Sequence, residues 1–209
     1  MARTLLPIYV DVDDVLADTT AMLLEMARDL FAKEIAYEDC RSFDLGESFG
    51  LSEAQRDRLL DAAHEDAAIE SMLAIEDAAE VLAAWDALGH EVHIVTGRPP
   101  ATLAATRRWL DRMEMPHASL ASVDKYGRQA HLTEAVPLDS LAERRYRVAV
   151  EDSLSMARFL VKTTGTAVLL LDRPWNRDVT GLDSGVLRLV TRVASWREIE
   201  ADVAGSDHK

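Results

Sequence analysis

Two periodicities alternate along the chain. Short β-branched or leucine-rich runs at residues 5–10, 91–95, 118–123, 147–150 and 167–171 read as strands, and residues 187–193 form a further possible one. Between them, apolar residues recur at three- and four-residue spacing. Met22, Leu23, Met26, Ala27 and Leu30 mark a helix over residues 19–31. Ser52 followed by Gln55 is a capping-box signature opening a helix to about His64. A third helix over residues 75–88 stops at Gly89. Later helices follow Pro99 and Pro100 to about Met113, then cover residues 138–145 and 154–162, and a last short one is capped by Ser195. Residues 36–51 hold Tyr37, Phe43, Gly46, Phe49 and Gly50 without a period and read as a loop. Residues 205–209 read as a frayed tail.

Strands alternating with helices predict an α/β fold, a Rossmann-like parallel sheet flanked by helices. The interval between the first two strands is too long for one crossover. Its surplus, residues 19–73, carries two amphipathic helices and an aromatic loop. The expected organisation is therefore an α/β core over residues 1–18 and 74–204, with a small helical cap inserted after the first strand.

Composition narrows the possible partners. A hydrophobic content of 48% excludes wholesale disorder, and 209 residues suffice for a full core. With 37 acidic against 23 basic residues the net charge is -14, which argues against a polymeric nucleic-acid partner. An anionic substrate must then be drawn in by local cations against the global field. Cys40 is the only cysteine, so neither an internal disulfide nor a thiolate metal site can form. The apolar run at residues 167–171 is far too short to span a bilayer, and the first residues make a poor signal peptide. A soluble cytoplasmic protein without a membrane partner is the expectation.

The strand ends carry the chemistry. The first runs into Asp11 and Asp13, carboxylates that can converge once the chain turns. Crowded carboxylates repel unless a cation lies between them. The second ends at Thr96-Gly97-Arg98-Pro99, a hydroxyl donor followed by a helix start with free N–H groups. Another ends at Glu151-Asp152. Parallel strands bring these ends to one rim, where carboxylates from two strands make an all-oxygen site suited to Mg2+. Lys125 is placed to supply positive charge for a phosphate, with Arg98 or Arg128 as alternative sources.

The strings Asp11-Val12-Asp13-Asp14-Val15-Leu16, Val95-Thr96-Gly97, Lys125 and Val150-Glu151-Asp152 resemble the four motifs of the haloacid dehalogenase-like phosphatase superfamily. Residues 11–18 and 171–176, the latter Leu-Asp-Arg-Pro-Trp-Asn, look more like its bacterial 5'(3')-deoxyribonucleotidase-like branch. The resemblance implies that Asp11 attacks phosphorus to form an aspartyl-phosphate. It implies that Asp13 protonates the leaving oxygen and then activates water. Mg2+ would be held by Asp11, the backbone carbonyl of Asp13 and Asp152, with Glu151 at or beside the ion. Thr96, Gly97 and Lys125 would hold the phosphoryl group. Two departures stand out. Asp14 occupies a position where many relatives have glycine, and Met156 lies where another version of the last motif has a second aspartate.

These residues and the resemblance they carry imply a Mg2+-dependent hydrolase of small phosphomonoesters, in the first place nucleoside monophosphates. The alternatives are another small ester such as a sugar phosphate, and a non-catalytic phospho-acceptor signalling protein. The remaining conspicuous residues have ordinary expected uses. Phe43, Phe49 and Trp175 pack the cap or stack on a base, and Asp18 caps the first helix. Trp85, Trp109 and Trp196 read as core or partly buried surface, while Arg144 and Arg145 form a solvated helix end. The six histidines, His64, His90, His93, His117, His131 and His208, show no ligand spacing and are expected to be structural or exposed. Asp14 has no assigned role.

Overall fold

The computed structural model describes residues 6–127, 134 and 136–205. Leu5, Arg128, His131, His208 and most of the expected tail lie outside them. Among the described residues, seven parallel strands form one sheet in the order β4-β3-β2-β1-β5-β6-β7. They are β1 (Ile8–Val10), β2 (Val92–Thr96), β3 (Ser119–Asp124), β4 (Val136–Pro137), β5 (Ala149–Glu151), β6 (Val168–Leu171) and β7 (Val190–Val193). The short β1 sits at the centre, paired with β2 on one side and β5 on the other. Its side chains alternate between two apolar layers, as the two-residue period of a strand requires. Ile8 and Val10 enter the layer holding Trp85, Trp109 and Trp196, and Tyr9 enters the layer holding Leu160, Leu170 and Tyr146. With both faces covered, the inner strands β1 and β6 read as continuous apolar runs.

The first helix, α1 (Thr19–Phe31), has the predicted bounds. After it, the expected loop is partly helical. It contains a 3-10 turn at Tyr37–Asp39 and α2 (Leu45–Phe49), whose N-cap Asp44 accepts from the Glu47 N–H. Five residues are too few to display a helical period, so only the cap and the left-handed Gly50 at the end marked it. The capping box at Ser52 forms and opens α3 (Glu53–Ala63). Then comes α4 (Asp66–Ser71), again too short to have been read. Leu23, Ala27, Cys40, Phe49, Leu51, Leu59 and Ala63 give this insertion an apolar centre of its own.

The insertion leaves and returns through adjacent chain. The N–H of Asp18 donates to the Leu73 carbonyl at 2.9 Å, and that of Ile75 to the Leu16 carbonyl at 2.8 Å. Ile75 is thereby drawn out of the predicted third helix. That helix, α5 (Ala78–Ala87), begins after Asp77, whose φ of 65° breaks the run. Arg108 on α6 (Leu103–Arg112) reaches Asp66 at 2.7 Å and Glu70 at 2.6 Å, holding α4 against the sheet's flanking helix.

Three other elements differ from expectation. Residues 138–145 form a 3-10 segment, Leu138–Glu143. Leu187 ends a short helix, α8 (Ser184–Leu187), so the last strand starts at Val190. The two-residue β4 has a proline at its second position and left no strand signal. The helices α7 (Leu154–Thr164) and α9 (Trp196–Gly205) complete the layers, and Gly205, expected in the tail, is still helical. Among the described residues, no helix is long and apolar enough to cross a membrane.

Candidate active site

The parallel sheet delivers Asp11, Thr96, Lys125 and Asp152 to one rim, because each lies at or just beyond the carboxyl end of its strand. At the centre is Lys125, whose buried ammonium lies 2.9 Å from Asp11 Oδ1 and 2.8 Å from Glu151 Oε1. Glu151 Oε1 also accepts from the Tyr9 hydroxyl at 2.8 Å, and its Oε2 accepts from the N–H groups of Asp152 and Ser153, each at 3.3 Å. Asp11 Oδ1 accepts a further hydrogen bond from the Val12 N–H at 2.7 Å. Burial alone would strip the proton from Lys125, but Asp11 and Glu151 hold it charged and raise its pKa. One lysine cannot neutralise the acids around it. Burial, opposed by Lys125 and reinforced by Glu151 and Asp13, pushes Asp11 up to about 8.

Asp11, Glu151 and Asp152 each offer an oxygen, all within 4.8 Å of one another. Burial first, then the charges of Glu151 and Asp11, raise Asp152 well above the usual carboxylate range. A site so short of positive charge fits a hard divalent cation, and its donors are all oxygen. Glu151 already has acceptor duties on both oxygens, which leaves Asp11 and Asp152 as the freer donors. Asp152 is anchored from the segment after β6. Trp175 Nε1 donates to its Oδ2 at 2.8 Å, and Asn176 Nδ2 donates to its backbone carbonyl at 2.7 Å.

Asp13 takes its partners from outside this cluster. Its Oδ1 accepts from Arg98 Nε at 2.9 Å, Arg98 Nη2 at 2.7 Å and Thr19 Oγ1 at 2.7 Å. Burial pushes Asp13 up, but Arg98 and Thr19 outweigh it and hold the carboxyl below its ordinary value. Arg98, weighed from sequence as a phosphate ligand, is thus committed to Asp13, and its buried guanidinium also reaches Thr106 Oγ1 at 3.3 Å. Asp14 now has a role. Its φ is 55°, and its carboxylate accepts from Thr20 N at 2.9 Å and Thr20 Oγ1 at 2.8 Å. It therefore caps α1 from six residues upstream, and burial raises its pKa to about 7. Asp18, the expected cap, makes no capping bond. Residue spacing favours a cap immediately before the helix, so only the turn at Asp14 reveals the remote one.

Thr96 is fully buried at the end of β2, and its hydroxyl accepts from the Arg98 N–H at 3.1 Å. A Cβ on Gly97 would come within 3.1 Å of the Tyr126 ring, so any side chain here would press on that ring. Above the rim lies a cavity of about 660 Å³. Asp11, Asp13 and Asp152 lie along one part of it. The insertion contributes apolar Met22, Leu23, Leu45, Phe49 and Leu60 and polar Ser42, Asp61 and His64. The expected aromatics divide. Phe49 packs within the insertion, whereas the Phe43 ring contacts the Tyr126 ring, with centroids 5.1 Å apart. His64, which showed no signal in sequence, also lines it, and burial lowers its pKa.

Residues 3–126, more than half of the chain, match the family model described as 5' nucleotidase, deoxy (pyrimidine), cytosolic type C protein. The chain belongs to this family. The family supports a phosphatase, in agreement with the branch to which the sequence motifs pointed. No curated protein matches the chain. Among solved structures, the fold is similar to a hydrolase of the haloacid dehalogenase family from Deinococcus radiodurans with bound phosphate and sodium. That likeness has a TM-score of 0.61 at 20% identity, covering 97% of this chain and 96% of the other. A predicted phosphatase from Clostridium acetobutylicum has a TM-score of 0.60 at 8% identity, covering 97% and 100%. CbbY from Rhodobacter sphaeroides in complex with phosphate has a TM-score of 0.57 at 18% identity, covering 94% and 96%. At these identities the likenesses show the fold, an α/β core of the haloacid dehalogenase type.

Proposed function

We propose that this nucleotidase-family chain hydrolyses small nucleoside monophosphates through an aspartyl-phosphate on Asp11, with Mg2+ as cofactor. One observation carries the reading: Asp11, Asp152 and Lys125 meet beyond three strands, with Lys125 Nζ 2.9 Å from Asp11 Oδ1. Asp11 and Asp152, with the backbone carbonyl of Asp13, would hold the ion. When bound it supplies charge neutralisation at the phosphoryl oxygens.

The chain's own residues supply the remainder. Asp11 is held against rotation by Lys125 and the Val12 N–H, which orients it for attack at phosphorus. Lys125, with Thr96 and the Gly97 backbone, would receive the phosphoryl oxygens. Glu151 and Tyr9 hold Lys125 in place. Asp13 has its donors gathered on Oδ1, and among the described residues Oδ2 takes no hydrogen bond. That oxygen is available to exchange a proton with the leaving group and then with water. Arg98 favours the ionised form of Asp13, the form needed to activate water against the aspartyl-phosphate. A cavity of about 660 Å³, apolar on the insertion side, suits a nucleoside better than a macromolecule.

The test is a panel of phosphomonoesters, with deoxynucleoside and sugar monophosphates side by side, assayed with Mg2+ and with a chelator. Turnover that depends on the metal and favours deoxynucleotides is expected. Hydrolysis that prefers sugar phosphates would replace the substrate assignment while keeping the chemistry. Absence of any metal-dependent hydrolysis would remove both.

A further inference from the structure

The segment Arg173–Asn176 reaches into the site at three points. Arg173 donates to the Asp14 carbonyl through Nε at 3.0 Å and Nη2 at 2.7 Å. Trp175 Nε1 donates to Asp152 Oδ2 at 2.8 Å, and Asn176 Nδ2 bridges the carbonyls of Asp152 and Leu171, each at 2.7 Å. The same Trp175 meets the insertion. Its ring lies edge-on to Tyr37, with centroids 5.8 Å apart at 69°, and it packs against the insertion's apolar centre. Beside it, Arg177 pairs with Glu38 at 2.6 Å. One indole thus touches a carboxylate of the candidate metal cluster with its N–H and the cavity's helical insertion with its ring.

We propose that Trp175 is a positioning residue that sets the rotation of the Asp152 carboxylate for a divalent ion and couples it to the placement of the insertion. This rests on the metal-dependent reading above. Asp152 is crowded by Asp11 and Glu151. A carboxylate in that setting turns away from its neighbours unless a donor holds it, and the indole N–H is a rigid donor with only two side-chain torsions behind it. Asn176 fixes the backbone of Asp152, so the side-chain orientation falls to Trp175. When Tyr37 moves, the indole it packs against moves with it, and the ligand carboxylate follows.

The test measures Mn2+ binding to the full chain by electron paramagnetic resonance, without substrate. Trp175→Phe keeps a ring but deletes the N–H; Trp175→Leu deletes both the ring and the N–H. Each is expected to weaken Mn2+ binding by about tenfold or more, as loss of a residue bonded to a metal ligand does. Tyr37→Ala, which alters neither the carboxylates nor the indole chemically, is expected to weaken it by a smaller factor. If Trp175→Phe binds Mn2+ like wild type and only Trp175→Leu is weakened, the ring merely packs and the positioning role is overturned. If Tyr37→Ala binds like wild type, the coupling to the insertion is overturned. A wild-type chain that binds no Mn2+, or whose binding Asp152→Asn leaves unchanged, overturns the metal-dependent reading together with this inference.

Discussion

Asp11 and Asp14 are three residues apart, and both are buried acids, yet they are built for different work. Asp11 lies among Lys125, Glu151 and Asp152, whereas Asp14 turns back to cap α1. Asp11→Asn retains an oxygen able to accept from Lys125 and Val12 but is not a nucleophile. It is expected to lower turnover at least ~1,000-fold, with an unchanged circular dichroism spectrum. A variant retaining more than a few per cent of the activity would refute the nucleophile assignment. The same two acids make metal-free stability depend on pH. In the unfolded chain both ionise near the ordinary carboxylate value, but burial holds them protonated in the fold up to about 8 and about 7. The native state therefore binds more protons across that window, and stability falls as pH rises. Thermal melting in chelator is expected to show Tm dropping by several degrees from about pH 5 to about pH 8. Excess Mg2+ is expected to reverse much of the drop, because the proposed ion would bind only the folded, ionised site.

Length separated the legible elements from the hidden ones. The helix α1 runs for 13 residues and α3 for 11, enough turns for their apolar faces to repeat. The five residues of α2 and six of α4 make too few turns for a period to show. For α3 the start signal is a reciprocal pair, Ser52 accepting from Gln55 N and Gln55 accepting from Ser52 N. Ser52→Ala removes the first bond and is expected to cost about 1 kcal/mol, or roughly 2–4 °C in Tm, measured by calorimetry. Helix boundaries moved where the site loop intervened. Ile75 pairs with Leu16 instead of opening α5, a contact across 59 positions that no local pattern encodes.

At the scale of the molecule, charge works against the proposed substrate. The chain carries a net charge of -14, and both Arg98, which lines the cavity, and Lys125, beside Asp11, are already paired with acids. A phosphate dianion therefore approaches uphill until it reaches the site. Salt screens that repulsion over about 10 Å at 0.1 M. Raising ionic strength from about 0.02 M to about 0.2 M is expected to raise kcat/KM by a few-fold through the association step. A fall over that range, measured at saturating Mg2+, would show that a local positive field dominates instead. The sheet order has its own consequence. With β1 central, Asp11 has a strand end on each side, so Thr96 and Asp152 reach it from opposite directions.

Residue order alone determined the parallel α/β core, the extents of α1 and α3 and the strand ends at which Asp11, Thr96 and Asp152 lie. These follow from periodicity, caps and the rule that parallel strands share a functional rim, all of which act over a few residues. Tertiary structure decided the pairings. Arg98 goes to Asp13 across 85 positions, Lys125 stands between Asp11 and Glu151, Asp14 displaces Asp18 as the cap, and Trp175 lands on Asp152. Each is a choice among several charged or polar groups of similar local signature. Burial makes the choice, because a charge removed from water must find its partner in space, whatever the distance along the chain.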